Sequence, residues 1–347
     1  MEKIMMASDY QCGAYPTILE AMAKTNLQAR AGYGMDEICA RAKERIRKAC
    51  DCEKAEVEFL SGGTQANAVV IGALLKSYQG VISADSGHVS VHEAGAIEHG
   101  GHKVLTIKGK LGKISADQIE TMMQDYYNDG NHDHIVMPGM VYLSQPTEFG
   151  TLYSKQELED ISVVCHRYHL PLYVDGARLA YALAAKENDV TLSDLARLCD
   201  AFYIGGTKCG AFIGEAVVIP NPDLIPHFFT IIKQDGALLA KGWLLGIQFD
   251  ELFKDDLYMH IGENAIRYAE QIKQELVKDG YQLYFDSPTN QIFFIIANDK
   301  LEKLGEKAVY SYMEKYDETH TVVRFATSWS TTKEDVDKLC KIIRENV

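Results

Sequence analysis

Short apolar runs alternate with longer amphipathic stretches along the chain as far as about Gly236. The apolar runs predict strands at residues 56–60, 81–83, 103–107, 140–143, 172–174, 201–204 and 216–219. Each of the last three is predicted to follow a helical stretch; residues 161–168 and 192–198 precede the first two of them. Strands separated by helix-length segments predict a mostly parallel sheet with helices on both faces and ligands at the carboxyl ends of the strands.

The pattern changes after about Gly236. Residues 237–253 and 261–279 are predicted to be helices, and the second is followed by Gly280, a typical helix stop. Predicted strands at 291–297 and 322–326 precede a final helix at 333–345. The sequence therefore predicts an α/β protein with a large domain, residues 1–240, and a smaller C-terminal α/β domain, residues 241–347.

Composition narrows the classes of function. The chain has 347 residues, and 35 Lys and Arg stand against 49 Asp and Glu, a formal charge of -14 that disfavours nucleic acid as a partner. No apolar run reaches the length of a membrane span or a signal peptide. Only one residue separates Cys50 from Cys52, which is neither zinc nor redox spacing. We expect a cytoplasmic protein with free thiols, no metal site and no membrane association.

The first segment that indicates chemistry follows the predicted strand 56–60 and reads Ser61-Gly62-Gly63-Thr64. Glycines between a strand and a helix let the backbone approach an anion, to which the first N–H groups of the helix and the Thr64 hydroxyl can donate. The competing interpretation is a tight turn in which Thr64 is an ordinary helix cap.

Two further segments follow apolar strands. Residues 172–174 lead into Asp175-Gly176-Ala177-Arg178, where a carboxylate could hold a ring nitrogen in its charged form and a guanidinium could bind a carboxylate ligand. Residues 201–204 lead into Gly205-Gly206-Thr207-Lys208, where a lysine held at a strand end could form a Schiff base with an aldehyde. Taken singly, the first is also compatible with a surface ion pair and the second with a solvent-facing lysine.

Together the three segments match the requirements of one cofactor. Pyridoxal 5'-phosphate needs a phosphate cradle, a carboxylate for its ring nitrogen and a lysine for its aldehyde. Here they occur in that order, with Lys208 thirty-three positions after Asp175. The alternative is an α/β protein that uses Gly62, Gly63 and Thr64 for another phosphate.

At these residues the chain resembles the threonine aldolase and β-eliminating lyase family of fold-type-I pyridoxal-phosphate enzymes. The resemblance rests on Gly63-Thr64-Gln65-Ala66-Asn67, on Asp175-Gly176-Ala177-Arg178, on the Lys208 loop, on Tyr33-Gly34 with Asp36, and on the segment from Gly87-His88 to Glu93-Ala94-Gly95. It implies cleavage of a β-hydroxy amino acid such as threonine into glycine and an aldehyde, with β-elimination, aminotransfer or non-catalytic binding as alternatives.

The resemblance also implies roles for individual residues. His88 would stack on the cofactor ring and serve as a base, and Gly63, Thr64 and Thr207 would hold the phosphate. The substrate carboxylate would bind Ser8, Arg178 and Arg324. A homodimer or homotetramer is implied as well, because fold-type-I enzymes commonly build the site at a subunit interface.

The chain departs from the family pattern at several positions. Ala7-Ser8-Asp9-Tyr10 lacks the leading arginine, and residues 144–150 replace the run Glu-Asn-Thr-His-Asn-Gly. The second active-site histidine of the family aligns near His134, but the register is off by one. His132 and His134 can therefore also be interpreted as ordinary loop residues. These departures bear on the substrate more than on the cofactor.

Overall fold

A computed structural model describes residues 3–345. Its strands are β1 (Ile4–Met5), β2 (Glu56–Leu60), β3 (Gln79–Ala84), β4 (Val104–Ile107), β5 (Met137–Ser144), β6 (Leu172–Asp175), β7 (Ala201–Gly205), β8 (Glu215–Ile219), β9 (Gln282–Leu283), β10 (Gln291–Ala297), β11 (Ala308–Val309), β12 (Ser311–Lys315) and β13 (His320–Ala326).

Its α-helices are α1 (Pro16–Thr25), α2 (Glu37–Ala49), α3 (Gly63–Leu74), α4 (His88–Val91), α5 (Ala96–His99), α6 (Ala116–Asn128), α7 (Lys155–Tyr168), α8 (Leu179–Leu183), α9 (Leu192–Leu198), α10 (Phe228–Gln234), α11 (Trp243–Leu252), α12 (Leu257–His260), α13 (Glu263–Lys278), α14 (Asn298–Lys307) and α15 (Lys333–Arg344).

The seven strands predicted as far as residue 219 form one sheet in the order β2-β8-β7-β6-β5-β3-β4. The strands β4, β3, β5, β6 and β7 pair in parallel, whereas β8 is antiparallel to both β7 and β2. The expectation that a helix precedes β8 is wrong: residues 206–214 form the link, and it contains no helix. So short a connection can return the chain only in the opposite direction, because a parallel crossover needs about a dozen residues or more.

The helix predicted at 237–253 begins later, at Trp243, after an irregular segment. Helix α13 ends at Lys278, and Gly280 follows with φ +85°, as expected for a helix stop. The strand predicted at 291–297 is confirmed as β10, which belongs to an antiparallel sheet in the order β12-β13-β10-β9.

The hydrophobic core has separate parts. Two clusters lie on the seven-stranded sheet, and the first of them extends through α11 to Ala265. A third cluster joins Ile4 and Met6 to the C-terminal elements, and β1 pairs in parallel with β11. The division of the chain at residue 240 stays a prediction. Within residues 3–345 no helix combines the length and apolar character needed to cross a bilayer.

Candidate active site

The candidate active site lies at the edge of the large sheet where its parallel strands end. A cavity of about 300 Å³ opens there. Because β8 runs the other way, its first residue reaches the same edge as the last residues of its neighbours. The wall contains, in the order of the strands that carry them, Gly63 and Thr64 after β2, Glu215 on β8, Lys208 after β7, Asp175 on β6, Glu148 after β5 and His88 after β3.

Asp175, the last residue of β6, is buried and accepts several hydrogen bonds. Its Oδ2 accepts from the Tyr142 hydroxyl at 2.7 Å and from Nδ2 of Asn67 at 3.0 Å. Its Oδ1 accepts from the Tyr203 hydroxyl at 2.5 Å and from the backbone N–H of Ala177 at 2.9 Å. These donors satisfy the charged form of a carboxylate that burial removes from water.

The pKa of Asp175 is lower than that of an ordinary aspartate. Burial raises this pKa, but nearby His88 and the hydroxyls of Tyr203 and Tyr142 lower it by more. Asp175 is therefore a fixed negative charge at neutral pH, as a carboxylate facing a protonated ring nitrogen must be.

Lys208 follows β7 and is half-buried in the cavity wall. Burial lowers its pKa and Arg178 lowers it further, while the carboxylates of Asp9, Asp175 and Glu215 oppose that shift. A lowered pKa favours the neutral amine, which is the form that can attack an aldehyde. No acidic side chain among residues 3–345 lies within 4.0 Å of the Lys208 ammonium nitrogen.

The segment before α3 forms an uncapped helix terminus beside the cavity. Gly62 precedes the helix in an extended conformation, and no side chain caps the first turn. Four other helices have capping boxes, begun by Ser115, Ser154, Thr191 and Thr332. The free N–H groups of α3 can therefore donate to an anion. A Cβ atom at Gly63 would lie only 2.9 Å from the Tyr203 hydroxyl oxygen, so the close approach of the backbone to this hydroxyl requires glycine.

His88 belongs to a buried hydrogen-bonded chain that includes Asp175. Its Nδ1 lies 2.8 Å from Oε1 of Glu93, and the same oxygen accepts from Nδ2 of Asn67 at 2.7 Å. Asn67 also donates to Asp175. Because a carboxylate oxygen only accepts, Nδ1 carries a proton, and Nε2 is the ring nitrogen that can accept when the imidazole is neutral.

Arg178 makes a two-pronged ion pair with Asp9. Nε donates to Oδ2 at 2.7 Å, and Nη2 donates to Oδ1 at 3.1 Å. Asn290 also donates to Oδ2 of Asp9, at 2.9 Å. Burial raises the pKa of Asp9, but Arg178, Lys208 and these hydrogen bonds bring it below the ordinary value. Arg178 also lines the cavity. Its Nη1, which Asp9 does not use, can bind a further carboxylate there.

The structure places Arg324 and Ser8 beside this ion pair, outside the cavity wall itself. Arg324 donates to Oε1 of Gln291 at 2.8 Å and to the Ala7 carbonyl at 3.1 Å. Burial, followed by repulsion from Arg178, lowers the pKa of Arg324 to about 10. Within the described chain the buried Nε of Arg324 and Oγ of Ser8 have no hydrogen-bond partner. The Nε–H of Arg324 and the hydroxyl of Ser8 can therefore each donate a hydrogen bond to a ligand without breaking an existing bond.

His132 and His134 lie at the opposite edge of the sheet. They form a short 3-10 turn immediately before β5, whereas the cavity lies after its carboxyl end. An eight-residue strand separates the two edges by about 25 Å. Glu148, in the segment that departs from the family pattern, lines the cavity instead. It accepts from the Ser144 hydroxyl at 2.7 Å and from the His88 N–H at 2.8 Å.

Sequence reasoning gave no role to several residues that build this site. Tyr142 and Tyr203 are interior strand residues, and their apolar neighbours predict core rather than hydrogen-bond donors. The sequence did contain a signal for Glu215, because this residue is the single charge in the strand Glu-Ala-Val-Val-Ile. Asp9 lies in the segment Ala7-Ser8-Asp9-Tyr10 compared with the family above, but its ion pair with Arg178, 169 positions away, has no local signal in the sequence.

The residues present fit pyridoxal phosphate: donors for a phosphate, a charged carboxylate and a lysine face one cavity, and Gly63 leaves the room that the cradle requires. Fold and site together define a pyridoxal-phosphate-dependent enzyme of fold type I. The fold agrees with that of an aspartate aminotransferase from Thermus thermophilus, at a TM-score of 0.73 and 14% identity over 100% of this chain and 92% of the other.

Comparison with sequence families and relatives narrows the assignment. The family described as "Beta-eliminating lyase" matches residues 6–287. A low specificity L-threonine aldolase from Pseudomonas aeruginosa is 32% identical over 97% of this chain and 96% of the relative. The structure of a threonine aldolase from Leishmania major has a TM-score of 0.95 and 41% identity, covering 98% of each chain. This chain belongs to the β-eliminating lyase family.

Proposed function

We propose that this protein is a low-specificity L-threonine aldolase, which cleaves L-threonine and L-allo-threonine to glycine and acetaldehyde with pyridoxal phosphate as cofactor. One observation carries the proposal: Lys208, Asp175 and His88 line one cavity in a chain that is similar over its full length to named threonine aldolases. Related β-hydroxy amino acids would be substrates of the same reaction.

Lys208 would hold the cofactor through its amine, and Asp175 would hold the ring nitrogen in its protonated form. Gly63, Thr64 and Thr207 would donate to the phosphate. When bound, the cofactor supplies an electron sink that stabilises negative charge at the substrate Cα. The fixed charge of Asp175 keeps that sink effective, because it favours a proton on the ring nitrogen at neutral pH.

Arg178, with Ser8 and Arg324 beside it, would bind and orient the substrate carboxylate. Orientation matters because the bond to be broken must lie perpendicular to the cofactor ring, and such positioning contributes several kcal/mol to catalysis. His88 would accept the proton of the β-hydroxyl at Nε2, since Glu93 holds Nδ1 as the donor. That proton transfer turns the side chain into an aldehyde as the bond to Cα breaks.

Product analysis tests this reaction. Purified protein with pyridoxal phosphate is incubated with L-threonine, L-allo-threonine or phenylserine, and the products are assayed. An aldolase forms glycine and an aldehyde in equal amounts, whereas a β-eliminating lyase forms an α-keto acid and ammonia. The variant Lys208→Ala is the control, and it should form neither set. An α-keto acid as the main product would replace the aldolase assignment by β-elimination.

The organisation of the molecule in the cell is also a proposal. We infer a cytoplasmic protein that acts on a small amino acid as a homodimer or homotetramer, with a large domain of residues 1–240 and a small one of residues 241–347. Exposed apolar side chains such as Leu27, Met35 and Phe212 support association. Light scattering on the purified protein measures the mass directly, and a monomer at micromolar concentration would contradict this inference.

A further inference from the structure

Glu215 occupies an unexpected place for a carboxylate. It is the first residue of β8, and it is paired with Leu60 of β2 on one side and with Gly205 of β7 on the other. The chain continues from Leu60 into the Gly62-Gly63-Thr64 cradle and from Gly205 into Thr207 and Lys208. Glu215 therefore lies between the two loops that provide the phosphate donors, and it lines the same cavity.

The contacts of Glu215 are those of a group without a cation partner. Its Oε2 accepts from the backbone N–H of Gly206 at 2.9 Å. Only 3% of the residue is exposed. Among residues 3–345, no Lys, Arg or His nitrogen lies within 4.0 Å of the Glu215 carboxylate oxygens, the limit for an ion pair. An ionised carboxylate in this position would repel an incoming phosphate dianion, whereas a protonated one could donate a hydrogen bond to it.

The pKa of Glu215 allows the protonated form to be populated at neutral pH. Burial raises its pKa to about 7, and the Gly206 N–H, the Thr207 hydroxyl and Lys208 reduce the shift. The other ionisable groups that face it come from several elements and are Asp175, Tyr173, Tyr203, Cys209 and Tyr258. The pKa values of the three tyrosines and of Cys209 are raised, so these four groups stay neutral near pH 7, while Asp175 stays charged.

We propose that the cavity binds the phosphate of the cofactor with Glu215 in its protonated form, so that cofactor capture is linked to the uptake of a proton. The inference rests on the proposed function in one respect, the use of pyridoxal phosphate in this cavity. Glu215 would bind the phosphate of the cofactor and would take no part in breaking the substrate bond.

Linkage sets the expected pH dependence. If only the protonated form binds, the apparent dissociation constant equals the intrinsic constant divided by the protonated fraction. With half of the groups protonated near pH 7, that fraction falls about fivefold between pH 7 and pH 8 and changes little below pH 6. The phosphate is already a dianion throughout the range above pH 7, because its second pKa is about 6.

The test measures the affinity of the cofactor-free, full-length protein for pyridoxal phosphate from pH 6 to pH 9 by fluorescence titration. In the wild type the dissociation constant should rise about fivefold from pH 7 to pH 8. In Glu215→Gln, an uncharged isostere, it should change by less than about twofold. Glu56→Gln is the matched control: this glutamate lies on β2 outside the cavity wall, and its loss should leave the wild-type profile.

Pyridoxal, which lacks the phosphate, separates an effect on the phosphate from an effect on Lys208. For pyridoxal the two proteins should differ far less than for pyridoxal phosphate, because only the effect of the Glu215 charge on the pKa of Lys208 remains. Equal slopes for pyridoxal phosphate in the two proteins would overturn the proposal, and so would a difference of the same size with pyridoxal. If neither protein binds pyridoxal phosphate at any pH, both this inference and the cofactor assignment fail.

A measurement on the wild type alone covers the case in which Glu215→Gln does not fold. Calorimetric titration at pH 7.5, in buffers with different ionisation enthalpies, gives the number of protons taken up on binding. Binding of pyridoxal phosphate should take up about 0.8 proton more than binding of pyridoxal, the fraction of Glu215 that is ionised at that pH. Equal proton uptake for the two ligands would contradict the proposal.

Discussion

The Tyr203 hydroxyl donates to Oδ1 of Asp175 at 2.5 Å and lies directly above the backbone of Gly63, where a Cβ atom would approach it to 2.9 Å. One hydroxyl thus connects the wall of the phosphate cradle to the ring-nitrogen carboxylate. Three strands contribute to this contact, since Gly63 follows β2, Tyr203 belongs to β7 and Asp175 ends β6.

Gly63→Ala should therefore weaken cofactor binding. The added methyl group would displace the Tyr203 hydroxyl and loosen its bond to Asp175, a steric cost of about 1–3 kcal/mol. We expect the dissociation constant of pyridoxal phosphate to rise about tenfold or more. Titration of the cofactor-free variant measures the change.

Gly72→Ala is the matched control in the same helix. Gly72 is exposed, and no atom lies within 4 Å of the position that its Cβ would take. This variant should bind the cofactor as the wild type does and gain up to about 1 kcal/mol in the free energy of unfolding, since alanine favours helix. Equal cofactor affinities in Gly63→Ala and Gly72→Ala would show that the cradle tolerates a side chain.

Asp175→Asn should reduce activity while leaving the fold intact. The amide is close in shape to the carboxylate but removes the fixed charge that four hydrogen bonds now stabilise. Loss of one preorganised electrostatic group commonly lowers kcat by about 10²–10³-fold. The rate is measured at saturating cofactor, with the amount bound determined by absorbance. Near wild-type turnover at full cofactor content would disprove the role of the charge.

Glu93→Gln should act through His88. The change weakens the hydrogen bond that holds Nδ1 as the donor, so Nε2 loses its fixed role as acceptor. We expect kcat/KM to fall about tenfold, because Nε2 is then no longer held as the acceptor for the proton of the substrate hydroxyl.

A double-mutant cycle with His88→Ala decides whether Glu93 acts in this way. If Glu93 serves only to position His88, then Glu93→Gln should cause little further loss in a protein that already carries His88→Ala. Additive losses in the double variant would mean that Glu93 acts independently of the histidine.

Asp9→Asn should lower stability in a pH-dependent way. Removing one partner of a buried ion pair costs about 3–5 kcal/mol, because Arg178 keeps its charge. The pKa of Asp9 is 3.8 in an ordinary setting and lower in the folded protein, so its contribution is complete above about pH 4 and is lost as the pH falls through the folded value. The stability difference between variant and wild type should therefore shrink in acid.

Denaturant unfolding at pH 7, pH 5 and pH 3.5 measures that difference. Asp160→Asn on α7, an exposed position outside the cavity wall, controls for the loss of a carboxylate as such. A constant gap between Asp9→Asn and wild type at all three pH values would argue against a depressed pKa for Asp9.

The strands and the order of the chemical motifs were predictable because they are local. Apolar runs mark the strands of the large sheet, and glycine-rich segments follow the strands at Gly63, Asp175 and Lys208. A parallel sheet brings such segments to one edge whatever the details of packing. The start of α11 was misjudged because the apolar residues Ala237, Leu238 and Leu239 pack in or against the core without being helical.

The sequence alone determined that a lysine, a carboxylate and a phosphate cradle share one sheet edge, since strand periodicity and chain direction are properties of neighbouring residues. Only the tertiary structure decided what surrounds them. The reversed direction of β8 brings Glu215 to the cradle, and Asp9 reaches Arg178 from a distant part of the chain. Burial and charge at these contacts depend on how the whole chain packs, and no local pattern of residues encodes them.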